Sequence, residues 1–464
     1  MDIQTKKEQT SPASSTSDLI YGLNERPPLK ETLFAALQHL LAIFVGIITP
    51  PLIICEALRT DLATTGFMVS MALFASGVST FIQCKKFGPV GCGLLCIQGT
   101  SFSFIGPIIT AGLQGGLPLV FGVCMAASPV EMIVSRTFKY LRHIITPLVS
   151  GIVVLLIGLS LIKVGVVSCG GGFDAMKNGT FGSIENVGLA AIVLGSVLFF
   201  NRCNNKYLRM SSIVLGLGLG YGIAFAMGKV DFSQTFTTGF WSINIPMPFK
   251  YGLDFNFSSF LALGLIYLIT AIEATGDVTA NSMISGEPIE GETYLKRVSG
   301  GVLADGFNSC LAGVFNSFPN SIFAQNNGII QLTGVASRYV GYYIAGMLVL
   351  LGLFPIVGTI FSLMPAPVLG GATLLMFGTV ASAGVRIISS HKIDRKATLV
   401  LAVSLALGLG VELMPDILNQ APQSIKAIFS SGITTGGLTA ILANALIRVK
   451  EGSDERKDER EIIE

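Results

Sequence analysis

Two acidic residues interrupt one of the most apolar stretches of the sequence. Glu273 and Asp277 lie four residues apart in segment 268–280, which otherwise contains apolar, small and hydroxyl residues. Four residues is about one helical turn, so both carboxylates share one helix face and repel each other. Ionisable groups at membrane depth usually serve transport or proton relay. The pair therefore predicts a proton-handling or binding site, with a solvated helix end as the alternative for Asp277.

A second polar stretch, residues 315–328, also lies between apolar runs. Pro319 and Gly328 interrupt any continuous helix there, and a run this polar cannot face lipid. The pattern favours a half-helix whose free backbone N–H groups point into a cavity. Gln325 and Asn326 would supply amide donors and acceptors to that cavity. The alternative is an extramembrane loop.

A similar break covers residues 97–104. Gln98 and Thr100 offer polar groups, and Phe102 and Phe104 offer rings on which a flat ligand could stack. Ordinary close packing of helices would also explain Ser, Thr and Gly residues in a membrane span. The segment is a weaker candidate than the first two.

Two further polar residues fall in apolar surroundings. Asp305 is a candidate buried acid, with a salt bridge or a cap near a helix end as the alternative. His39 opens the first apolar run, where a lone histidine is either a hydrogen-bonded structural residue or a proton carrier. The sequence has no phosphate-binding loop and no metal-ligand spacing, so we expect neither ATP-driven transport nor a metal or other cofactor.

Composition identifies the environment of these groups as a lipid bilayer. The chain has 464 residues, of which 51% are hydrophobic and 12% are charged. Soluble domains carry about 25% charged residues. We therefore predict an all-α polytopic membrane protein with about 14 spans, because each span needs roughly 20 apolar residues, with twelve spans as the alternative. The predicted centres are residues 42, 74, 97, 122, 155, 195, 220, 268, 307, 324, 348, 377, 403 and 437.

The distribution of basic residues predicts the orientation. If the amino terminus is cytoplasmic, fifteen Lys and Arg residues fall in inside loops and six in outside loops. This bias favours an even number of spans with both termini in the cytoplasm. Residues 1–28 and 450–464 are then cytoplasmic tails. No basic cluster indicates a nucleic-acid partner.

The two halves of the chain echo each other weakly. Pro147 and Pro367 each begin an apolar run, 220 residues apart, and the break at Gln98 has its counterpart near Gln325. Such an offset equals seven spans, and an odd number of spans inverts the second copy. We therefore expect repeats at 29–240 and 241–449.

Residues 325–334 resemble the signature of the nucleobase–ascorbate transporter family, also called nucleobase:cation symporter 2. That signature reads Q/E/P-N-x-G-x-x-x-x-T-R/K/G, and QNNGIIQLTG meets every specified position. The chain also resembles the family in the segments around His39, Gln98, Glu273 and Asp305, and in Gly370-Gly-Ala-Thr. The chain looks closest to the bacterial xanthine permeases. Ser431 stands at a position where a related xanthine carrier pattern has Asn. This difference leaves the selectivity among xanthine, urate and close analogues open.

The resemblance implies a fold and a location. It implies 14 spans in two inverted seven-span repeats, with short strands and half-helices in spans 3 and 10. Spans 1–4 and 8–11 would form a core domain, and spans 5–7 and 12–14 a gate domain. The protein would lie in the bacterial inner membrane as a homodimer.

The resemblance also implies roles for individual residues. Substrate would bind between the third and tenth spans, where Glu273 accepts hydrogen bonds from the purine and Gln325 binds its other edge. Backbone N–H groups near Phe102 and Ala324 would complete the contacts, beside Gln98. The positions associated with proton coupling or with support of the site are Asp277, Asp305, His39, Asn326 and Thr333.

Together these features predict a symporter that imports a purine, most simply xanthine, with a proton by alternating access. Urate, guanine or hypoxanthine, and uracil are alternative substrates. A channel or anion exchanger on a similar fold is a more remote alternative, and the acidic pair argues against an anion pathway. An enzyme is not expected, because no nucleophile–base or metal constellation is present.

Overall fold

The computed structural model describes residues 19–447, except 142–145, 206–207, 210, 231–242, 390–392, 423–424, 427–428 and 430. The two charged or polar tail ends predicted from the sequence, residues 1–18 and 450–464, lie outside the described residues.

The first half of the chain is helical except for one short strand. A 3₁₀ turn, Phe102–Phe104, joins that strand to the helix after it. The elements are α1 (Leu29–Leu58), α2 (Leu62–Lys85), β1 (Gln98–Thr100), α3 (Ile105–Ala127), α4 (Pro129–Leu141), α5 (Pro147–Cys169), α6 (Gly172–Lys177), α7 (Ile184–Arg202) and α8 (Ser212–Ala226).

The second half has nearly the same order of elements. It also contains one three-residue strand followed by a short helix. The elements are α9 (Phe257–Ile284), α10 (Gly291–Val314), β2 (Asn320–Ile322), α11 (Gln325–Thr333), α12 (Arg338–Leu353), α13 (Pro355–Ser362), α14 (Ala366–Ser389), α15 (Arg395–Leu413) and α16 (Gly432–Leu446).

The helices confirm a multi-pass membrane protein. In the described part of the chain, eight helices are long and apolar enough to cross a membrane. The pair α12 and α13 would add a ninth as a span bent by 75°, and α8 and α16 are shorter apolar helices. Twelve of the predicted centres fall inside helices, and the other two, 97 and 324, fall beside the strands. The number fourteen stays a prediction.

The half-helices arise from backbone breaks. Gly116 has φ +67°, a conformation that glycine adopts without steric cost, and it divides α3 into two helical parts. The first part follows β1 as α11 follows β2. Because equivalent elements recur in one order, the structure has the two-repeat plan predicted from the sequence. Its inversion across a membrane stays a prediction, and the predicted boundary at 240/241 lies outside the described residues.

Helices α5 and α14, whose first turns contain the echoed prolines, pack along each other at backbone distance. A Cβ atom on Gly151 would lie 2.9 Å from the backbone nitrogen of Ile388. A Cβ on Gly384 would overlap the backbone of Leu155. Small residues at such positions allow the close helix approach on which membrane packing depends.

We expect Gly384→Ala to destabilise the protein. The added methyl group meets backbone atoms of α5 that cannot rotate away, and overpacking of this kind costs about 1–3 kcal/mol. Gly378→Ala on the same helix is the matched control, since a Cβ there has no neighbour within 4 Å. Thermal unfolding in detergent should show a lower midpoint for Gly384→Ala alone. Equal midpoints for the two variants would contradict this packing.

The segment before α1 is bound to the chain that follows α11. The backbone N–H groups of Ile20 and Tyr21 donate to the carbonyl of Gly334 at 2.7 and 3.1 Å. The N–H of Ala336 donates in turn to the carbonyl of Tyr21 at 2.9 Å. Residues 19–28, which the sequence analysis assigns to the amino-terminal tail, therefore hold the end of the signature segment.

Candidate functional site

A two-stranded antiparallel ribbon lies at the centre of the candidate site. Strand β1 pairs with β2 in the register Gln98↔Ile322, Gly99↔Ser321 and Thr100↔Asn320. A Cβ on Gly99 would lie 2.6 Å from the ring of Phe323, so a larger residue cannot replace this glycine without displacing the ring. Because the strands are antiparallel, the chain leaves them towards the two following helices at opposite ends of the ribbon, which is about 7 Å long.

Both half-helices begin a few residues after the strands of this ribbon. The first N–H groups of a helix have no intrahelical partner and give its amino terminus a partial positive charge. Ala324, which precedes α11, is exposed, and Gln325 is partly exposed, although Phe323 and Asn326 on either side are buried. Ala324 and Gln325 therefore border open space where a ligand could reach them.

Helix α9 presents a polar face to both half-helices. The hydroxyl of Ser103, in the turn after β1, donates to Glu273 Oε2 at 3.4 Å. One turn further along α9, Asp277 Oδ2 is buried and has no hydrogen-bond partner among the described residues. One turn further again, Asn281 Nδ2 donates to the carbonyl of Leu95 at 3.0 Å and to Asn327 Oδ1 at 2.9 Å. Glu273 and Asp277 thus share a helix face, as predicted, and that face lies against the ribbon region.

Gln98 and Asp305 form a buried pair. Gln98 Nε2 donates to Asp305 Oδ1, and both side chains are fully buried. The backbone N–H of Gln98 donates to Thr80 Oγ1 at 3.0 Å, which fixes the start of β1 against α2. In the described part of the chain, Gln98 Oε1 and Asp305 Oδ2 have no hydrogen-bond partner. Asp305 forms no salt bridge with the described residues, so the alternative of a salt-bridged acid finds no support.

His39 and Asn326 join α1 to the signature helix. His39 Nδ1 lies 2.9 Å from Asn326 Oδ1 and donates to it in the tautomer that has its hydrogen on Nδ1. Both side chains are buried, and Asn326 Nδ2 also donates to the carbonyl of Phe323 at 3.4 Å. The contact stabilises the first turn of α11, next to Gln325.

We expect His39→Ala and Asn326→Ala to be non-additive. Each single change leaves a buried polar partner without its hydrogen bond, which costs about 1–3 kcal/mol, whereas the double change removes both groups. A double-mutant cycle measures this effect: it compares the thermal unfolding of the wild type, the two single variants and the double variant. A double variant whose loss equals the sum of the two single losses would contradict a direct interaction.

Three of the residues predicted from the sequence lie away from the ribbon or pack against other side chains. Thr333 ends α11, where its hydroxyl donates to the carbonyl of Ile329 at 2.8 Å. It lies eight residues, or about 12 Å of helix, beyond Gln325 and borders a separate cavity of about 450 Å³ beside Tyr21 and Gln38. Phe102 packs edge-on against Phe377 of α14, with ring centroids 5.4 Å apart. Phe104 is fully buried against Tyr267, so its ring is not available to a ligand.

Comparison with known proteins places the chain in a family. The profile of a permease family matches residues 30–417. The chain belongs to this permease family. It is 51% identical to the xanthine permease XanP of Escherichia coli, covering 96% of this chain and 99% of XanP, and 48% identical to the xanthine permease XanQ of Escherichia coli, covering 93% and 94%. Since permeases are transporters, the expectation that the chain is not an enzyme is confirmed.

The fold has a solved counterpart of low sequence identity. The murine Slc26a9 anion transporter in its inward-facing state matches with a TM-score of 0.60 at 11% identity. The match covers 95% of this chain and 73% of that chain. This likeness confirms the predicted fold class, and at this identity it shows the fold alone.

Sequence reasoning missed three polar residues near the site. Asn281 follows Glu273 and Asp277 at the same four-residue spacing, a signal that was available in the sequence. Asn327 occupies an unspecified signature position and binds Asn281. Glu131, in the first turn of α4, is fully buried, and neither of its carboxylate oxygens has a hydrogen-bond partner within the residues that the structure describes. In the sequence, Glu131 precedes Arg136 and Lys139, and this pattern is typical of a charged, solvent-exposed helix end.

Proposed function

We propose that this permease imports xanthine together with a proton. The observation that supports it best is the arrangement of Glu273 and Gln325 beside the ribbon and the two half-helix termini. A purine such as xanthine is flat and largely neutral, with N–H donors and C=O acceptors along its edges. A carboxylate and an amide can bind such edges. The names of the relatives XanP and XanQ support the same substrate.

Each binding group has a defined chemical task in this proposal. Glu273 accepts hydrogen bonds from ring N–H groups, while Ser103 holds its Oε2. Gln325 binds the other edge with its amide. The backbone N–H groups near Phe102 and Ala324 donate to the purine carbonyls, helped by the positive ends of the half-helices. Gln98 supports the site by fixing β1 to Asp305.

Proton coupling follows from the cost of buried charge. Moving a charged carboxylate through a closed, dry state is costly, so proton and substrate would move together. Asp277 and Asp305, each with one unpartnered buried oxygen, support this step, and His39 supports the signature helix. Rocking of the core domain against the gate domain would give alternating access.

The cellular setting belongs to the same proposal. The protein would lie in the bacterial inner membrane with both termini in the cytoplasm, as the distribution of basic residues favours. It would act as a homodimer. Crosslinking of single-cysteine variants and labelling of terminal tags from either side of the membrane would test these two points.

An anion exchanger is the second candidate, because the solved counterpart of this fold is described as an anion transporter. Glu273, Asp277 and Asp305 disfavour it, since three acids beside the ribbon would repel an anionic substrate.

The decisive experiment is uptake of radiolabelled xanthine into transporter-deficient bacteria, with and without a protonophore. Unlabelled urate, guanine, hypoxanthine and uracil serve as competitors. Saturable uptake that the protonophore abolishes supports the proposal, whereas membrane-localised protein without xanthine uptake rejects it.

A further inference from the structure

Glu131 is a buried carboxylate for which the binding scheme above has no use. It lies in the first turn of α4 with no exposed surface. Thr270 is the hydroxyl nearest to Glu131, but it donates to the carbonyl of Tyr267 at 3.3 Å. Among the described residues, neither oxygen of Glu131 has a hydrogen-bond partner at normal hydrogen-bond geometry. Buried carboxylates are normally paired or hydrogen-bonded. An unpaired one needs a functional explanation.

The packing of α4 brings Glu131 into the neighbourhood of Asp305. Helix α4 lies against α10, where Ser299 Oγ donates to the carbonyl of Ser135 at 2.8 Å. A Cβ on Gly306 would lie 3.0 Å from the carbonyl oxygen of Ser128 and 3.1 Å from the nitrogen of Met132. The backbones on either side of Glu131 therefore touch the residue that follows Asp305. The two carboxylates are close enough to interact electrostatically, and Glu273 lies within the same range.

The groups facing Glu131 are acidic or neutral. Helix α10 contributes Asp305, and α9 contributes Glu273 and the phenol of Tyr267. That phenol donates to the carbonyl of Cys124 in α3 at 3.0 Å, and the Cys124 thiol is buried next to it. In the part of the chain that the structure describes, no Lys or Arg forms an ion pair with any of these acids. Without a counter-charge, neighbouring carboxylates favour sharing a proton.

We propose that Glu131 and Asp305 together hold the proton that is transported with the purine. This inference rests on the proposed symport and names its proton site. The proton adds to one carboxylate oxygen of the pair, which leaves the pair with one negative charge instead of two, and it leaves on the cytoplasmic side. Because Asp305 accepts from Gln98, whose backbone belongs to β1, the protonation state of the pair acts on the strand that positions the first half-helix.

Glu131→Gln separates a role in coupling from a role in binding. The amide keeps the size of the side chain but cannot gain or lose a proton. In transporter-deficient cells, we expect Glu131→Gln to lower the accumulation of radiolabelled xanthine by about tenfold or more, since an uncoupled carrier only equilibrates its substrate. Exchange of internal for external xanthine should remain near the wild-type rate. The rise of uptake with acid pH should disappear, whereas Glu131→Asp should keep a pH-dependent uptake.

The experiment distinguishes failure of the proposed symport from failure of the proton-site assignment. If the wild type shows no protonophore-sensitive accumulation, the proposed symport fails and this inference with it. If the wild type accumulates xanthine and Glu131→Gln does so equally, with the same pH profile, Glu131 does not hold the proton. Loss of both exchange and accumulation in Glu131→Gln, without recovery in Glu131→Asp, would indicate a structural role and reject the inference. Should Glu131→Gln fail to reach the membrane, the pH profile of Glu131→Asp decides, because an unchanged profile contradicts the assignment.

Discussion

Replacing Glu273 by Gln is expected to reduce xanthine uptake by about 100-fold or more. Glutamine keeps one acceptor oxygen but sets an N–H group against the ring N–H groups of the purine. It also loses the negative charge that strengthens those hydrogen bonds. Hydrogen bonds to charged groups contribute about 1.5–3 kcal/mol each, and about 1.4 kcal/mol corresponds to tenfold. Initial rates over a range of xanthine concentrations measure the effect.

A matched control exists on the next helix. Glu292, in the first turn of α10, is exposed and pairs with Lys296 at 2.7 Å, so Glu292→Gln should leave uptake unchanged. Protein abundance in the membrane should be equal for the two variants. If Glu273→Gln transports xanthine with wild-type affinity and rate, Glu273 does not bind the substrate.

Replacing Asp305 by Asn is expected to abolish accumulation while the protein stays folded. Asparagine still offers an oxygen to Gln98 Nε2, so the anchor of β1 is kept, but the side chain can no longer hold a proton. Accumulation should fall by about 100-fold, because loss of coupling to a membrane potential of about 120 mV forfeits about 2.8 kcal/mol, and about 1.4 kcal/mol corresponds to tenfold. Steady-state xanthine accumulation and thermal unfolding in detergent together measure this result.

Two further variants define the cause of that loss. Asp416→Asn removes an exposed acid that accepts from Asn419 at 3.0 Å and should behave as the wild type. Asp305→Leu removes the acceptor as well as the charge, and should lower the unfolding midpoint in addition to transport. Accumulation that survives in Asp305→Asn would exclude this carboxylate from coupling.

Local sequence signals were sufficient for the outline of the fold. The breaks near residues 97 and 324 could be predicted because Pro319, Gly328 and runs of polar residues are incompatible with a lipid-facing helix. The pairing of β1 with β2 could not be predicted in register. It depends on contacts such as Gly99 against Phe323, which exist only after the two halves come together.

The partners within the site were also beyond local reasoning. Gln98 and Asp305 are 207 positions apart, and His39 and Asn326 are 287 positions apart. Nothing in the sequence around any one of them specifies its partner. Glu131 was overlooked for a related reason, since its burial results from α9 and α10 packing on α4. Periodicity identified which residues share a helix face, and tertiary packing decides what that face meets.

The most direct measurement is the proton flux that xanthine drives through purified protein. Wild-type and Glu273→Gln proteins would be reconstituted in lipid vesicles that enclose a pH-sensitive dye, with no initial pH difference across the bilayer. Addition of external xanthine should acidify the interior of wild-type vesicles, in a saturable manner, and should leave Glu273→Gln vesicles unchanged. Entry of radiolabelled xanthine into wild-type vesicles without acidification would contradict proton-coupled symport.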